Sequence, residues 1–291
     1  MAYRSVFRPD LFAGQTMIVT GGGSGLGRCM AHELASLGAH TVLIGRTLEK
    51  LEVVAAEITE DGGECSCYSQ DIRDEPGVAA TVKAIIKDRG RIHGLVNNAG
   101  GQFPAPLAAI SKNGFDAVVS SNLTGGFLMS REVFTQSMAD HGGAIVNMLA
   151  DMWRGMPMMG HSGAARSGME NLTRTAALEW AVAGVRVNAV APGFVASSGM
   201  DTYKGRMDEV FPKLRHQIPL KRLGREAEVS SAVSWLLSEG ASYVTGVTIR
   251  IDGATMQMSP LLPIPDHTAS QPYDGFHRAD LPNILKDTDN K

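Results

Sequence analysis

Eight residues near the N-terminus, Thr20-Gly21-Gly22-Gly23-Ser24-Gly25-Leu26-Gly27, have the composition of a turn that binds phosphate. Glycine permits positive φ at some positions and lets the backbone approach a pyrophosphate at others. A helix that starts there aims its unpaired N–H groups and the positive end of its dipole at the anion. Arg46 stands where a carboxylate would hold the adenosine ribose hydroxyls in a dinucleotide-binding fold. A guanidinium suits a 2′-phosphate instead, which favours NADP(H) over NAD(H); the alternative is a solvated surface arginine. Asp71-Ile72 follows a third apolar segment. A carboxylate there is placed to meet an adenine amino group, or else to cap the helix that starts near Glu75-Pro76.

These residues need a scaffold, and the chain spells one out. Gln15–Thr20 is a short β-type segment, and Leu26, Met30, Leu34 and Leu37 then fall on one helix face. Strand, glycine turn and helix together make the phosphate reading specific. His40–Ile44 reads as the second strand, and Leu48, Leu51, Val54, Ala55 and Ile58 give the next helix an apolar stripe. Further strands are expected at Glu64–Gln70, Ile92–Val96, Val185–Val190 and Gly246–Ile251, with a helix over Glu226–Leu237. Alternating strands and helices imply a parallel sheet covered on both faces.

Composition narrows the function. The chain has 291 residues, 44% of them hydrophobic, and a net charge of −3. That is enough apolar content for a large core and no electrostatic footprint for nucleic acid. No apolar run is long enough for a membrane span or a secretion signal, so a cytoplasmic location is the default. Cys29, Cys65 and Cys67 read as reduced apolar fillers, and no Cys/His cluster has metal-ligand spacing.

With Thr20-Gly21-x-x-x-Gly25-x-Gly27, Asp71, Asn97-Asn98-Ala99-Gly100, Asn122 in Ser-Ser-Asn-Leu-Thr-Gly, and Pro192-Gly193 in place, the chain resembles the short-chain dehydrogenase/reductase family from about Gly14 to Met258. The resemblance implies a Rossmann domain over residues 14–258 with a seven-stranded parallel sheet, an N-terminal extension over 1–13 and a tail over 259–291. It implies that Asn98, Ala99 and Gly100, then Pro192, Gly193, Val195 and Ser197, line the coenzyme, Ser197 taking the place of a Thr that bonds the carboxamide. It assigns Asn122 to holding an ordered water, and it implies a homotetramer.

The same resemblance exposes a departure. The family's proton donor is a Tyr four residues before a Lys; here those positions hold Ser162 and Arg166, and the usual Ser falls on Leu149 or Ala150. A serine hydroxyl titrates too high to exchange protons near neutrality, and a guanidinium does not release one. Arg166 can still bind the nicotinamide ribose. Reducing a C=C conjugated to a thioester needs less acid than reducing a ketone, because the product of hydride addition is an enolate. His161-Ser-Gly-Ala-Ala-Arg, Asn171-Leu-Thr and the late Ile264-Pro-Asp-His are similar to the peroxisomal trans-2-enoyl-CoA reductase branch, which also lacks that Tyr. Related dienoyl-CoA reductases carry a Tyr fifteen residues before their Lys, and counting back from Arg166 gives Asp151. Asp151 is either an acid whose pKa an apolar site raises, or a loop carboxylate that caps a helix or pairs with Arg154.

The expected activity is therefore NADPH-dependent reduction of an α,β-unsaturated acyl-CoA. The alternatives are an alcohol/aldehyde dehydrogenase of the citronellol/citronellal type or a 3-oxoacyl dehydrogenase, and a non-catalytic NADP-binding scaffold. A tyrosine brought to the nicotinamide from elsewhere, such as Tyr203, would shift the balance toward carbonyl chemistry. The five methionines from Met148 to Met159 suit an adaptable pocket wall, or else core packing. Lys204, Arg206, Lys213, Arg215, Lys221, Arg222 and Arg225 could meet CoA phosphates, or form a solvated helix face. Glu170 reads as a charged helix or subunit-contact residue and His161 as a structural histidine.

Overall fold

The computed structural model describes residues 2–203, 210–259 and 261–286. Seven parallel strands form: β1 (Thr16–Thr20), β2 (His40–Gly45), β3 (Glu64–Ser69), β4 (Gly94–Asn97), β5 (Gly143–Met148), β6 (Val185–Pro192) and β9 (Thr248–Ile251), the central ones rich in Val, Ile and Leu and β3 a more polar edge. Their order is β3-β2-β1-β4-β5-β6-β9, all pairs parallel. The order reverses between β1 and β4, so their carboxyl ends diverge and leave a crevice there. A second, two-stranded sheet pairs β7 (Val195–Ala196) with β8 (Gly224–Arg225).

Strand alternation divides the core in two. Met17, Val19, Leu43 and Val96 point to one face, where they meet helices α1 (Gly25–Ser36), α2 (Leu48–Glu60) and α7 (Glu226–Leu237). Ile18, Val42, Ile44 and Leu95 point to the other, toward α3 (Glu75–Arg89), α5 (Gly125–Val133) and α6 (Gly160–Glu179). Helix α4 (Lys112–Val119) runs into α5 through a π-turn over Ser120–Thr124. The expected stripe on α2 holds at Leu51, Val54 and Ile58, each about 1% exposed. Leu48 is a correction: it opens the helix, one turn ahead of the packed region, and is 38% exposed.

The tail packs on its own chain. Phe276 is buried against Tyr3, Cys29 and Ala227. Arg278 bridges Asp61 at 3.0 and 2.8 Å and Glu60 at 2.9 Å, and His277 lies 2.9 Å from Asp61. Arg278 and His277 hold the Asp61 carboxyl down at about 2. A depressed carboxyl contributes stability above its ordinary pKa and loses it as pH falls through the folded value. Arg278→Ala should therefore lower Tm by roughly 3–6 °C at neutral pH. In thermal melts the deficit should shrink as pH drops from about 4 toward 2. A pH-independent deficit would assign the loss to packing alone.

Among the described residues no helix is long and apolar enough to cross a membrane. No group of three or more His, Cys, Asp or Glu there could hold a metal ion.

Candidate active site

The glycine turn is built by three separate constraints. Gly21 and Gly25 adopt φ of 67° and 52°, open to glycine at no steric cost. Gly27 has ordinary φ but no room: a Cβ there would overlap the Gly21 carbonyl oxygen and lie 2.6 Å from Asn98 Nδ2. Thr20 staples the turn to the end of β4. Its Oγ1 accepts from the Asn98 and Ala99 amides at 3.0 Å each and donates to the Val96 carbonyl at 3.2 Å. Asn98 Nδ2 donates back to the Thr20 carbonyl at 3.0 Å. Ser24 occupies the N-cap of α1 without capping it, which leaves first-turn amides for a ligand.

A groove of about 400 Å³ runs from this turn across the sheet's carboxyl edge. Gly21, Gly23 and Ser24 line its middle, Arg46, Asp71 and Ile72 one end, Ala99, Gly100 and Gln102 the other. The groove fits a dinucleotide: an uncapped helix start faces it, and glycines leave the space a phosphate needs. Leu26, in the first turn of α1, packs against the core and does not line the groove. Asp71 is held by Arg73, whose Nε donates at 2.9 Å and whose terminal nitrogen lies 2.5 Å away. Arg73 above all, with help from Arg46, holds that carboxyl at about 2. Neither sequence-based role for Asp71 anticipated this partner, and the cap position of α3 belongs to Asp74.

Opposite the turn, Pro192 and Gly193 close β6. The Gly193 amide donates to the Ile251 carbonyl at 3.0 Å. Val195 is buried in β7, and Ser197 follows it at the foot of the short helix Ser198–Thr202. A Cβ at Gly25 would lie 3.6 Å from Ser198 Oγ, so this segment faces the start of α1.

At the Gly100–Gln102 end of the groove lie three of the expected site residues, Asn122, Ser162 and Arg166. Asn122 sits in the π-turn, a bulge that turns its side chain out of helical register. Its Nδ2 donates to the Gly101 carbonyl at 2.6 Å, and its Oδ1 accepts from the Gly101 amide at 3.2 Å. Arg166 donates to the Met148 carbonyl, and a Cβ on Gly100 would lie 3.1 Å from a terminal guanidinium nitrogen. Burial pulls Arg166 down to about 10, and Tyr203 partly offsets this, so it stays cationic near neutrality.

Ser162 is fully buried. Its Oγ donates to Gln102 Oε1 at 2.5 Å, and Gln102 Nε2 donates to the Tyr203 oxygen at 2.8 Å. The absence of a phenol from α6 therefore does not leave the site without one. No spacing rule in the sequence connects Gln102 to Ser162 or to Tyr203. His161 is buried, accepts from the Ser162 amide at 2.8 Å and meets Phe103 edge-on at 4.4 Å, as a structural histidine would.

Asp151 lies on the loop after β5. Its amide donates to the Pro192 carbonyl at 3.3 Å, and its Oδ1 is buried without a partner. Burial first, then the Asp252 charge, raise it to about 6 against the pull of Arg250. Asp252 accepts from the Ala254 and Met256 amides at 2.9 and 3.0 Å. The pairing of Asp151 with Arg154 is a correction: Arg154 instead donates to the Met256 and Met258 carbonyls at 2.5 and 2.7 Å. Glu170 pairs along its helix with Arg174 at 2.6 Å. Of the five methionines, Met148 and Met152 are core, whereas Met158 is 48% exposed. In the basic cluster, Lys204 and Arg206 fall outside the described residues. Arg222 and Arg225 bind Glu228 and Asp274 at 2.6 and 3.2 Å.

This sheet order, glycine turn and edge crevice are those of a coenzyme-dependent oxidoreductase, and the chain belongs to the short-chain dehydrogenase/reductase family. A family model described as enoyl-(acyl carrier protein) reductase matches residues 21–254. The chain is 37% identical over 255 residues to a peroxisomal 2,4-dienoyl-CoA reductase of Danio rerio, covering 86% of this chain and 84% of that one. A solved citronellol catabolism dehydrogenase of Pseudomonas aeruginosa shares 62% identity and superposes with a TM-score of 0.79, covering 87% of this chain and 99% of that one. A structure from Beutenbergia cavernae, whose name points to an NAD(P)-dependent gluconate 5-dehydrogenase, holds NADP at low occupancy. It is 33% identical, with a TM-score of 0.80 over 86% of this chain and all of that one.

Proposed function

We propose that this oxidoreductase uses NADPH to reduce the conjugated C=C of an α,β-unsaturated acyl-CoA thioester. The observation that carries this reading is the exchange of acids: α6 offers a buried Ser162 hydroxyl beside Arg166, while the carboxyl raised to about 6 belongs to Asp151. The bound coenzyme supplies hydride. Gly21, Gly23 and Ser24 line the space for its pyrophosphate, Gly27 lets α1 close on the turn, the free amides of α1 receive the charge, and Arg46 takes the 2′-phosphate. Arg166 holds a fixed positive charge at the nicotinamide end and steadies negative charge that develops on the thioester oxygen. Protonated Asp151 delivers a proton to the α-carbon, directly or through water. The dienoyl-CoA reductase relatives support the thioester class. The citronellol catabolism relative, together with the Tyr203 hydroxyl held on Gln102, favours a second reading, in which an aldehyde or alcohol occupies the same pocket.

Coenzyme oxidation with crotonyl-CoA, a dienoyl-CoA, acetoacetyl-CoA and citronellal separates the two. Turnover of the unsaturated thioesters is expected; turnover of citronellal or acetoacetyl-CoA alone defeats the first reading. Asp151→Asn should lower kcat by about 10²-fold. Because only the protonated form delivers, the native rate should fall about tenfold per pH unit above about 6. An unchanged rate in the variant removes Asp151 from the chemistry.

A further inference from the structure

The hydrogen bonds around Gln102 leave one proton uncommitted. Ser162 Oγ–H points at Gln102 Oε1 at 2.5 Å, so the amide must turn Nε2 toward Tyr203. The Tyr203 oxygen therefore accepts, and among the described residues no protein group accepts its own proton. Tyr203 is half-buried, and its ring is fixed rather than waving in solvent. It meets Phe211 edge-on at 5.6 Å and packs with Met200 and Leu214. Gln102 lines the same end of the groove as Gly100, and Gly100 leans on Arg166. The phenol is also near enough to Arg166 to affect its titration.

We propose that the Tyr203 O–H is the hydrogen-bond donor to the substrate's carbonyl oxygen, with Gln102 and Ser162 as positioning residues that fix its direction. Tyr203, just past the short helix Ser198–Thr202, thus returns to the site the phenol that α6 lacks. With a conjugated thioester, hydride adds to the β-carbon and the C=C electron pair moves toward oxygen. Tyr203 stabilises that enolate oxygen while the α-carbon takes its proton from Asp151 or water. With an aldehyde, hydride adds to the carbonyl carbon, the phenol proton passes to the alkoxide, and solvent reprotonates the phenolate. The inference rests on the reading that this pocket takes a carbonyl-bearing substrate, but not on which one.

Tyr203→Phe keeps the ring packing and removes only the oxygen. On whichever substrate the native enzyme turns over, kcat should fall about 10²-fold, as for loss of one oxyanion donor. KM should stay within about threefold, as should the NADPH Kd read from fluorescence titration, since neither property depends on that donor. Gln102→Leu should lose less, and adding it to Tyr203→Phe should cost little more, because both act through one bond. A Tyr203→Phe enzyme with native kcat overturns the proposal. So does a loss confined to KM or to NADPH affinity, or full additivity of the two substitutions. If native protein turns over neither thioesters nor aldehydes, the proposed function fails and this inference fails with it. If native turnover is present and survives Tyr203→Phe, only the inference fails.

Discussion

Gly27→Ala is expected to abolish measurable NADPH binding and to destabilise the fold by about 3 kcal/mol or more. The added Cβ would press on the Gly21 carbonyl and on Asn98, whose side chain ties the turn to β4. Both neighbours are anchored, so neither can retreat as the tip of a flexible side chain could. Relief requires α1 to move away from β1, and that opens the packing between them. A loss of this size is a large part of the stability of an ordinary domain. Gly199→Ala is the matched control, since its Cβ would meet only Ser197 Oγ at 3.5 Å. Thermal melts and NADPH fluorescence titration should separate the two variants clearly. Native-like affinity in Gly27→Ala would show that α1 can shift freely, and would remove the close approach of turn and helix from the description of the site.

Reversing the charge at Arg46 should produce the second large effect. In Arg46→Asp the preference for NADPH over NADH, taken as the ratio of their Kd values, should fall by about 10²-fold or more. Loss of a charge-assisted bond to the 2′-phosphate accounts for part of that, and repulsion between the new carboxylate and the phosphate adds the rest. NADH should bind better than it does to native protein, because a carboxylate can accept from both ribose hydroxyls. Arg73 and Lys50 also line this end of the groove. Arg73 is already committed to Asp71, so Arg46 is the guanidinium left for the phosphate. An unchanged ratio would make Arg46 a solvated surface cation and pass the phosphate to Lys50 or to an Arg73 released from Asp71.

The two experiments probe the glycine turn and one end of the same groove, and their causes differ. At Gly27 the constraint is volume and acts through the backbone. At Arg46 it is charge, exerted by an exposed side chain on a ligand. Salt should therefore weaken the Arg46 effect and leave the Gly27 effect almost untouched.

The sequence by itself determined everything with a short-range cause. Strand alternation and helical spacing specified the layers, because those periods are properties of a few consecutive residues. The positive φ at Gly21 and Gly25 and the tight space at Gly27 follow from a turn of fixed geometry, so the coenzyme end was legible in a single stretch. The expectation that Ser162 and Arg166 stand where the family has its Tyr and Lys likewise came from one stretch of sequence. Only the tertiary structure brought Gln102 and Tyr203 beside Ser162. Ser162, Gln102 and Tyr203 are 60 and 101 residues apart along the chain, and no periodicity links them. They meet because Tyr203 packs against Met200, Phe211 and Leu214, which holds its ring inward. The same is true of Arg154 turning away from Asp151 to two distant backbone carbonyls, and of Arg278 settling on Asp61. Each is a long flexible side chain choosing among several partners, and that choice is made by the packed surroundings rather than by residue type.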